Sequence, residues 1–198
     1  MIRLILFIFI YSFLFSVEIP SHGDKKKWVT ISESDEIWVG TFNFKGIDWA
    51  RSESLLPYPI EKVQTIIENT ANYPNVFKRL TEVYNYGDDI VHIVLDMPFP
   101  ISNRDYIVKY ETQTIKDGIR FQFFANNYSE AKDIKGCIRL INAAGEWNLV
   151  AIDGSTLLTY TWNGELRGDF PDFMLEKAWQ KQGTEIIGWL LEKLDEEN

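Results

Sequence analysis

From residue 28 onward, apolar and polar positions alternate with period two over long stretches, the pattern of strands with one face buried. Residues 28–32, 37–44 and 47–56 read as an opening meander, with Ser34-Asp35 and Lys45-Gly46 as its turns. The period then changes: Ile60, Val63, Ile66 and Ile67 recur at helical intervals behind Pro59, which suits a first helical position, and residues 69–74 close that helix. A second, shorter helix is expected over 74–80. Strands resume at 81–86, 91–97, 106–114, 119–126, 134–143, 146–153 and 156–165. Their connections, Gly87-Asp88-Asp89, Lys116-Asp117-Gly118, Ala144-Gly145 and Asp153-Gly154, supply residues that tolerate positive φ. The last element, 171–194, is helical, with a stripe of Leu175, Ala178, Trp179, Gln182, Ile186, Leu190 and Leu194 in which only Gln182 is polar. Gly183 and Gly188 each cost this helix about 1 kcal/mol relative to alanine, so close backbone approach or local give is expected there. With no βαβ alternation, the order predicts an α+β fold in which a curved antiparallel sheet wraps the last helix, with room for a cavity between them.

The 198 residues are 45% hydrophobic and 25% charged. A chain of that size and apolar content forms one ordinary domain, which excludes intrinsic disorder and a tandem of large domains. A formal charge of −9 repels phosphate backbones, so nucleic acid is not an expected partner. The N-terminus carries Arg3, an apolar run from Leu4 to Phe15 and then Ser16 and Pro20. That run falls short of the roughly 20 residues a bilayer crossing needs and has the proportions of a secretory signal. Residues 1–17 are therefore read as a signal peptide or a retained N-terminal anchor, 18–27 as a linker and 28–195 as the domain. The protein is expected to be exported, periplasmic or secreted, or membrane-anchored if the leader stays. Cys137 is the sole cysteine, so no internal disulfide forms. Lys25-Lys26-Lys27 offers a transient contact for an anionic membrane surface, though three lysines also suit a solvated loop.

Candidate chemistry is sparse. The histidines are His22 and His92, no Cys/His spacing suits zinc, and neither a glycine-rich phosphate loop nor a Gly-x-Ser-x-Gly elbow occurs. Asp169 and Asp172 flank the start of the last helix and read as capping charges. His92 points away from the face bearing Val91, Ile93, Leu95 and Met97, and is expected on the surface. The weight moves from catalysis toward binding, with no cofactor or metal expected and a monomer the expected state.

The segment Pro98-Phe99-Pro100-Ile101-Ser102-Asn103-Arg104-Asp105-Tyr106 resembles the Pro-x-Ser-x-Arg-Asp signature of START domains, the steroidogenic-acute-regulatory-related lipid-transfer family. Further likenesses fall in order: Tyr73-Pro74, Gly145-Glu146-Trp147, Leu157-Leu158-Thr159-Tyr160 and Gly168-Asp169-Phe170-Pro171-Asp172-Phe173. The resemblance spans 28–194 and implies the helix-grip fold of the START, polyketide-cyclase and Bet v1-like superfamily. It also implies a non-enzymatic protein that holds a lipid or other hydrophobic small molecule in an internal cavity gated by the C-terminal helix. A sterol is not implied, because the buried acid and base pair of some sterol-binding members has no placed counterpart here. Cyclase-like, hydrolase-like and quinone-binding branches share the fold, and Tyr73-Pro74-Asn75-Val76-Phe77 resembles the quinone-binding one. A scaffold with a filled core that binds a protein partner is a further alternative.

Strand alternation turns the cavity into a residue-level expectation. The inward sets are Val91, Ile93, Leu95 and Met97; Ile119, Phe121 and Phe123; Trp147, Leu149 and Ala151; and Leu158, Tyr160 and Trp162. Phe173, Leu175, Trp179, Gln182, Ile186 and Leu190 close the space from the helix side. These residues would equally pack against one another as an ordinary core. Tyr160, Trp162 and Gln182 are candidates for meeting a ligand's polar end. Arg104 has two readings, a ligand contact or an ion pair with Asp105 or another acid that fixes the strand crossover. An enzymatic use of the cavity would have to draw on Tyr160, Arg104 or Asp96.

Overall fold

The computed structural model describes residues 17–21, 23, 25–163 and 165–197. Apart from Val17, the expected signal segment lies outside the described residues, as does His22. Three strands open the domain, β1 (Val29–Glu33), β2 (Trp38–Phe44) and β3 (Ile47–Leu56), followed by α1 (Ile60–Glu68) and the short α2 (Tyr73–Val76). Next come β4 (Leu80–Gly87), β5 (Ile90–Leu95), β6 (Asn103–Ile115), β7 (Gly118–Ala125), β8 (Cys137–Arg139), β9 (Ala144–Ile152) and β10 (Ser155–Asn163). A 3₁₀ turn (Asp172–Met174) leads into α3 (Leu175–Glu196). The sheet runs β1-β2-β3-β10-β9-β7-β6-β5-β4, antiparallel at every neighbour, and α3 lies on its concave face. The expected α+β helix-grip architecture is present.

The turns follow the local chemistry. Lys45-Gly46, Asp88-Asp89, Asp117 and Asp153-Gly154 all take positive φ, as tight antiparallel connections with the natural sheet twist require. Gly145 does not turn; it lies inside β9, where a Cβ would meet the Phe123 ring and the Thr161 carbonyl, both at 2.4 Å. The expected strand 134–143 shrinks to three residues, Cys137–Arg139, which pair parallel to Asn103–Asp105 of β6.

The segment carrying β8 passes over the outer face of the sheet and corrects the expectation for His92. Its side chain does point away from Val91 and Ile93, yet it is fully buried, with Nε2 2.7 Å from Asp105 Oδ2. Arg139 from the β8 segment donates to the same oxygen at 2.7 Å, and the Tyr84 and Tyr86 rings cover the imidazole. At the other end of the outer face, residues 17–21 lie against the sheet: Val17 and Ile19 pack on the Trp28, Trp38 and Trp49 cluster, and Arg51 donates to the Pro20 carbonyl at 3.0 Å. Lys25 pairs with Glu53 at 2.8 Å. Polar outer positions between these covers bond across strands, as Gln122 does to Glu146 and Arg120 to Asn148.

The concave face is filled unevenly. At one end α1 contacts β9 and β10, and its Val63, Ile66 and Ile67 share one apolar cluster with Leu149 and Leu158. Along one flank α3 rests on β1, β2 and β3 through Trp179, Gly183, Ile187, Leu190 and Leu194. A Cβ at Gly183 would lie 2.4 Å from Ser52 Oγ, 3.0 Å from Val39 Cγ1 and 3.2 Å from the Trp162 ring, so the missing side chain sets how near the helix approaches. At Gly188 nothing lies within 4 Å. Gly188→Ala should therefore stabilise the protein by roughly 0.5–1 kcal/mol through helix propensity, whereas Gly183→Ala should lose that gain and about 1 kcal/mol more to overpacking. Urea denaturation of the two variants checks this; equal stabilisation by both would contradict the close approach.

Candidate functional site

The other flank of α3 does not reach the sheet, and a cavity of about 260 Å³ remains there. Inward-facing residues of β5, β6, β7, β9 and β10 form its wall: Leu95, Tyr106, Tyr110, Phe123, Trp147 and Tyr160. Tyr73 and Phe77 close it from α2, and Met97, Pro98 and Ile101 from the β5–β6 connection. Ala178, Gln182, Ile186 and Trp189 face it from α3, with Leu166, Phe170 and Met174 from the connection before that helix. The wall is a packed aromatic surface, with Trp147 4.1 Å from Tyr160 and 5.7 Å from Phe77 between ring centres, and Phe123 5.6 Å from Tyr110. Offset and tilted rings at these separations are favourable beyond the area they bury.

Four phenols supply the polar element of that wall. The Tyr73 hydroxyl donates to the Ile67 carbonyl at 2.7 Å and is also hydrogen-bonded to Tyr110. Burial raises the pKa of all four groups, Tyr73, Tyr106, Tyr110 and Tyr160, above the ordinary tyrosine value. They stay protonated and act as neutral hydrogen-bond donors. On the exposed side the cavity is edged by Lys177, Lys181 and the Arg79–Glu185 pair, whose guanidinium bonds the carboxylate at 2.6 and 3.1 Å.

Two connections meet at this edge, and a buried guanidinium joins them. Arg104, at the start of β6, is fully buried and does not line the cavity. Its Nε donates to the Leu166 carbonyl at 2.9 Å and its Nη2 to the Arg167 carbonyl at 2.7 Å, while Nη1 donates to the Ser102 carbonyl. Nη2 also meets Asp169 Oδ1 at 2.9 Å, and the other Asp169 oxygen accepts from the Ser102 N–H and hydroxyl at 3.0 and 2.9 Å. The acid that partners Arg104 is thus Asp169; Asp105 is committed to His92 and Arg139. Asp169 caps no helix, a correction with a plain cause: three donors from the β5–β6 side outcompete the helix N-terminus. Those donors, the Ser102 N–H first, then its hydroxyl and the Arg104 guanidinium, hold the Asp169 carboxyl down at about 2.

Of the fifteen residues expected at a ligand site, the structure brings together around the cavity Leu95, Met97, Phe123, Trp147, Tyr160, Gln182 and Ile186. It places Ile93, Phe121, Leu149 and Leu158 in the packed core, and Trp162 and Trp179 on the flank where α3 touches the sheet. Phe173 is 88% exposed on the 3₁₀ turn and closes nothing, because α3 begins only after that turn. The sequence reading did not single out Tyr73, Phe77, Tyr106, Tyr110, Leu166 or Phe170 as cavity residues. Tyr106 and Tyr110 were findable, since they share strand parity with each other on a strand next to one already assigned.

No family model matches the chain. An uncharacterised protein of Pseudomonas aeruginosa is 25% identical over 117 residues, a match covering 58% of this chain and little more than half, 58%, of that relative's length. The fold itself is that of START domains. A STAR-related lipid transfer protein of Xanthomonas axonopodis superposes with a TM-score of 0.74 at 19% identity, covering 85% of this chain and 99% of that one. Human StAR-related lipid transfer protein 5 gives a TM-score of 0.80 at 14% identity, covering 88% and 89%. An aromatase/cyclase of Streptomyces superposes less fully, with a TM-score of 0.51 at 14% identity over 74% and 93%.

Two outcomes follow from the Arg104 clamp. Arg104→Ala leaves several buried carbonyls without a donor and should destabilise the protein by about 3 kcal/mol, measured by denaturant unfolding; a variant as stable as the parent would show that the clamp carries no structural role. A carboxyl held below its unfolded value near 3.9 stabilises the fold at higher pH and loses that contribution as pH falls through about 2. An acid titration followed by tryptophan fluorescence should therefore show a component between about pH 4 and pH 2 that is missing in Asp169→Asn.

Proposed function

We propose that this protein binds one lipid or comparable hydrophobic molecule in the cavity beside α3 and exchanges it at a membrane surface. The observation that carries this reading is the cavity itself: about 260 Å³ of aromatic and aliphatic wall left open where the helix stands off the sheet. Such a volume lies just below the usual range of small-molecule sites, roughly 300–1,000 Å³, and suits a single chain or compact ring system. Desolvation supplies the affinity, at about 0.8 kcal/mol for each buried methylene. The phenols in the wall, kept protonated by burial, are available as neutral hydrogen-bond donors to a ligand oxygen. The solved structures named as lipid transfer proteins support the same reading through their shared fold.

The edge of the cavity supports contact with a bilayer. Phe99, 98% exposed, and Phe173 extend from the two connections that Arg104, Ser102 and Asp169 join, and Lys177 and Lys181 lie nearby on α3. Apolar tips beside lysines suit an anionic membrane surface. The connection 165–174 and the first turns of α3 then form the part that moves to admit cargo. An exported location, read from residues 1–17, would put this exchange outside the cytoplasm.

Native mass spectrometry of the purified protein, followed by solvent extraction, should recover one hydrophobic molecule per chain. Protein that is empty and binds nothing from a panel of lipids and apolar ligands would overturn the reading. For the membrane step, Phe99→Asp with Phe173→Asp should slow transfer between anionic vesicles at least tenfold while equilibrium binding is unchanged, as expected if each phenylalanine contributes about 1.5 kcal/mol or more on insertion.

A further inference from the structure

The buried side of the cavity carries two hydroxyl groups that the protein leaves unmatched. Tyr106 and Tyr160 both line the cavity, and neither hydroxyl bonds to another described residue, whereas Tyr73 and Tyr110 in the same cluster are bonded to each other and onward to the Ile67 carbonyl. Tyr160 is only 6% exposed. Tyr106 is half-buried, and both residues face the cavity space, so their hydroxyls are available to whatever fills it. The two residues come from strands that are not neighbours: Tyr106 is on β6 and Tyr160 on β10, with β7 and β9 between them. Sheet curvature and α2 gather both into the cluster around Tyr73. The Tyr160 ring is packed against two indoles, tilted on Trp147 with ring centres 4.1 Å apart and stacked on Trp162 at 4.9 Å.

We propose that this phenol pair is a recognition site for an uncharged oxygen acceptor on an otherwise apolar ligand: a ketone, an ester carbonyl or a hydroxyl. The inference rests on reading the cavity as a ligand site and adds the chemistry of the ligand's buried end. Neutral phenols offer donors to an oxygen lone pair and provide no countercharge. A carboxylate at this end would have to be desolvated with no cation beside it, because the cationic residues of the lining, Arg79, Lys177 and Lys181, lie at the exposed edge and Arg79 is paired with Glu185. An ammonium group would find neutral phenol oxygens to accept its hydrogen bonds but no countercharge, and its desolvation would go uncompensated. An oxygen-bearing ligand therefore enters with its neutral polar end first and leaves any anionic end near Lys177 and Lys181.

The test compares twelve-carbon ligands that share a chain and differ at one end: dodecane, 2-dodecanone, 1-dodecanol, dodecanoate and dodecylammonium, titrated calorimetrically at pH 7 into the delipidated full chain. The ketone and the alcohol should bind about tenfold tighter than dodecane and tighter than either ion. In Tyr106→Phe with Tyr160→Phe that preference should fall to within about twofold while dodecane binds as before. Because the substitution deletes only oxygens with no protein partner, the double variant should melt no lower than the parent. Tyr73→Phe, which removes a hydroxyl already bonded within the protein, should lower the melting temperature and keep the preference. Dodecane matching the ketone in the parent, a preference that survives in the double variant, or dodecanoate binding tightest would each overturn the phenol site while leaving a hydrophobic cavity in place. Failure of every ligand in the series to bind would overturn the cavity reading as well.

Discussion

One helix has to cover the concave face of a sheet far wider than itself. Nine strands spaced about 4.8 Å apart span close to 40 Å, while a helix with its side chains is about 10–12 Å across. Flat contact over the whole face is impossible, so the sheet curves around α3 and the helix must still choose a flank. Gly183 decides which one. Its bare backbone lets α3 settle against Val39, Ser52 and Trp162, and the helix accordingly stands away from β5, β6 and β7. The cavity follows from this asymmetry. Its wall is as aromatic and aliphatic as the packed core apart from the phenol hydroxyls, and differs chiefly in that the side chains of α3 opposite do not fill the space.

A wall that faces empty space is held open by what lies around it. Arg104 does this at the cavity edge by placing its donors on carbonyls and a carboxylate of the connection leading into α3. A buried guanidinium satisfied largely by backbone carbonyls fixes the path of a chain that makes few apolar contacts of its own. The same contacts bring the loops bearing Phe99 and Phe173 to one end of the molecule. The piece that would move on ligand entry is therefore attached chiefly through the polar junction of Ser102, Arg104 and Asp169, with Asn142 donating to Glu165 as a second, exposed contact.

The outer face shows a different solution to burial. Polar residues there, among them Arg51, His92 and Asp105, are covered by residues 17–21 or by the segment carrying β8, and they bond across strands or to the covering chain. Alternation correctly assigned His92 to the outer side of its strand. Its burial arises from a loop some forty residues later in sequence, which no local pattern around His92 announces. Asp169 is similar: its local setting is that of a helix cap, and a partner sixty-five residues away takes it instead.

The order of elements, the positions of the turns and the inward side of each long strand were legible in the chain, because they depend on period and on which residues tolerate positive φ. Leu158 and Tyr160 illustrate the limit. They sit two residues apart on one strand and face the same way, yet Leu158 packs in the core beneath α1 and Tyr160 borders the cavity. Likewise the single stripe read along α3 divides in two: Trp179 and Leu190 turn to the sheet, and Ala178, Gln182 and Ile186 to the open space. Alternation encodes the side of a strand on which a residue lies and carries no information about what stands opposite. That depends on sheet curvature, on the closeness Gly183 permits and on where α1 and α2 end, all contacts between residues distant in sequence, and so it was decided only by the tertiary structure.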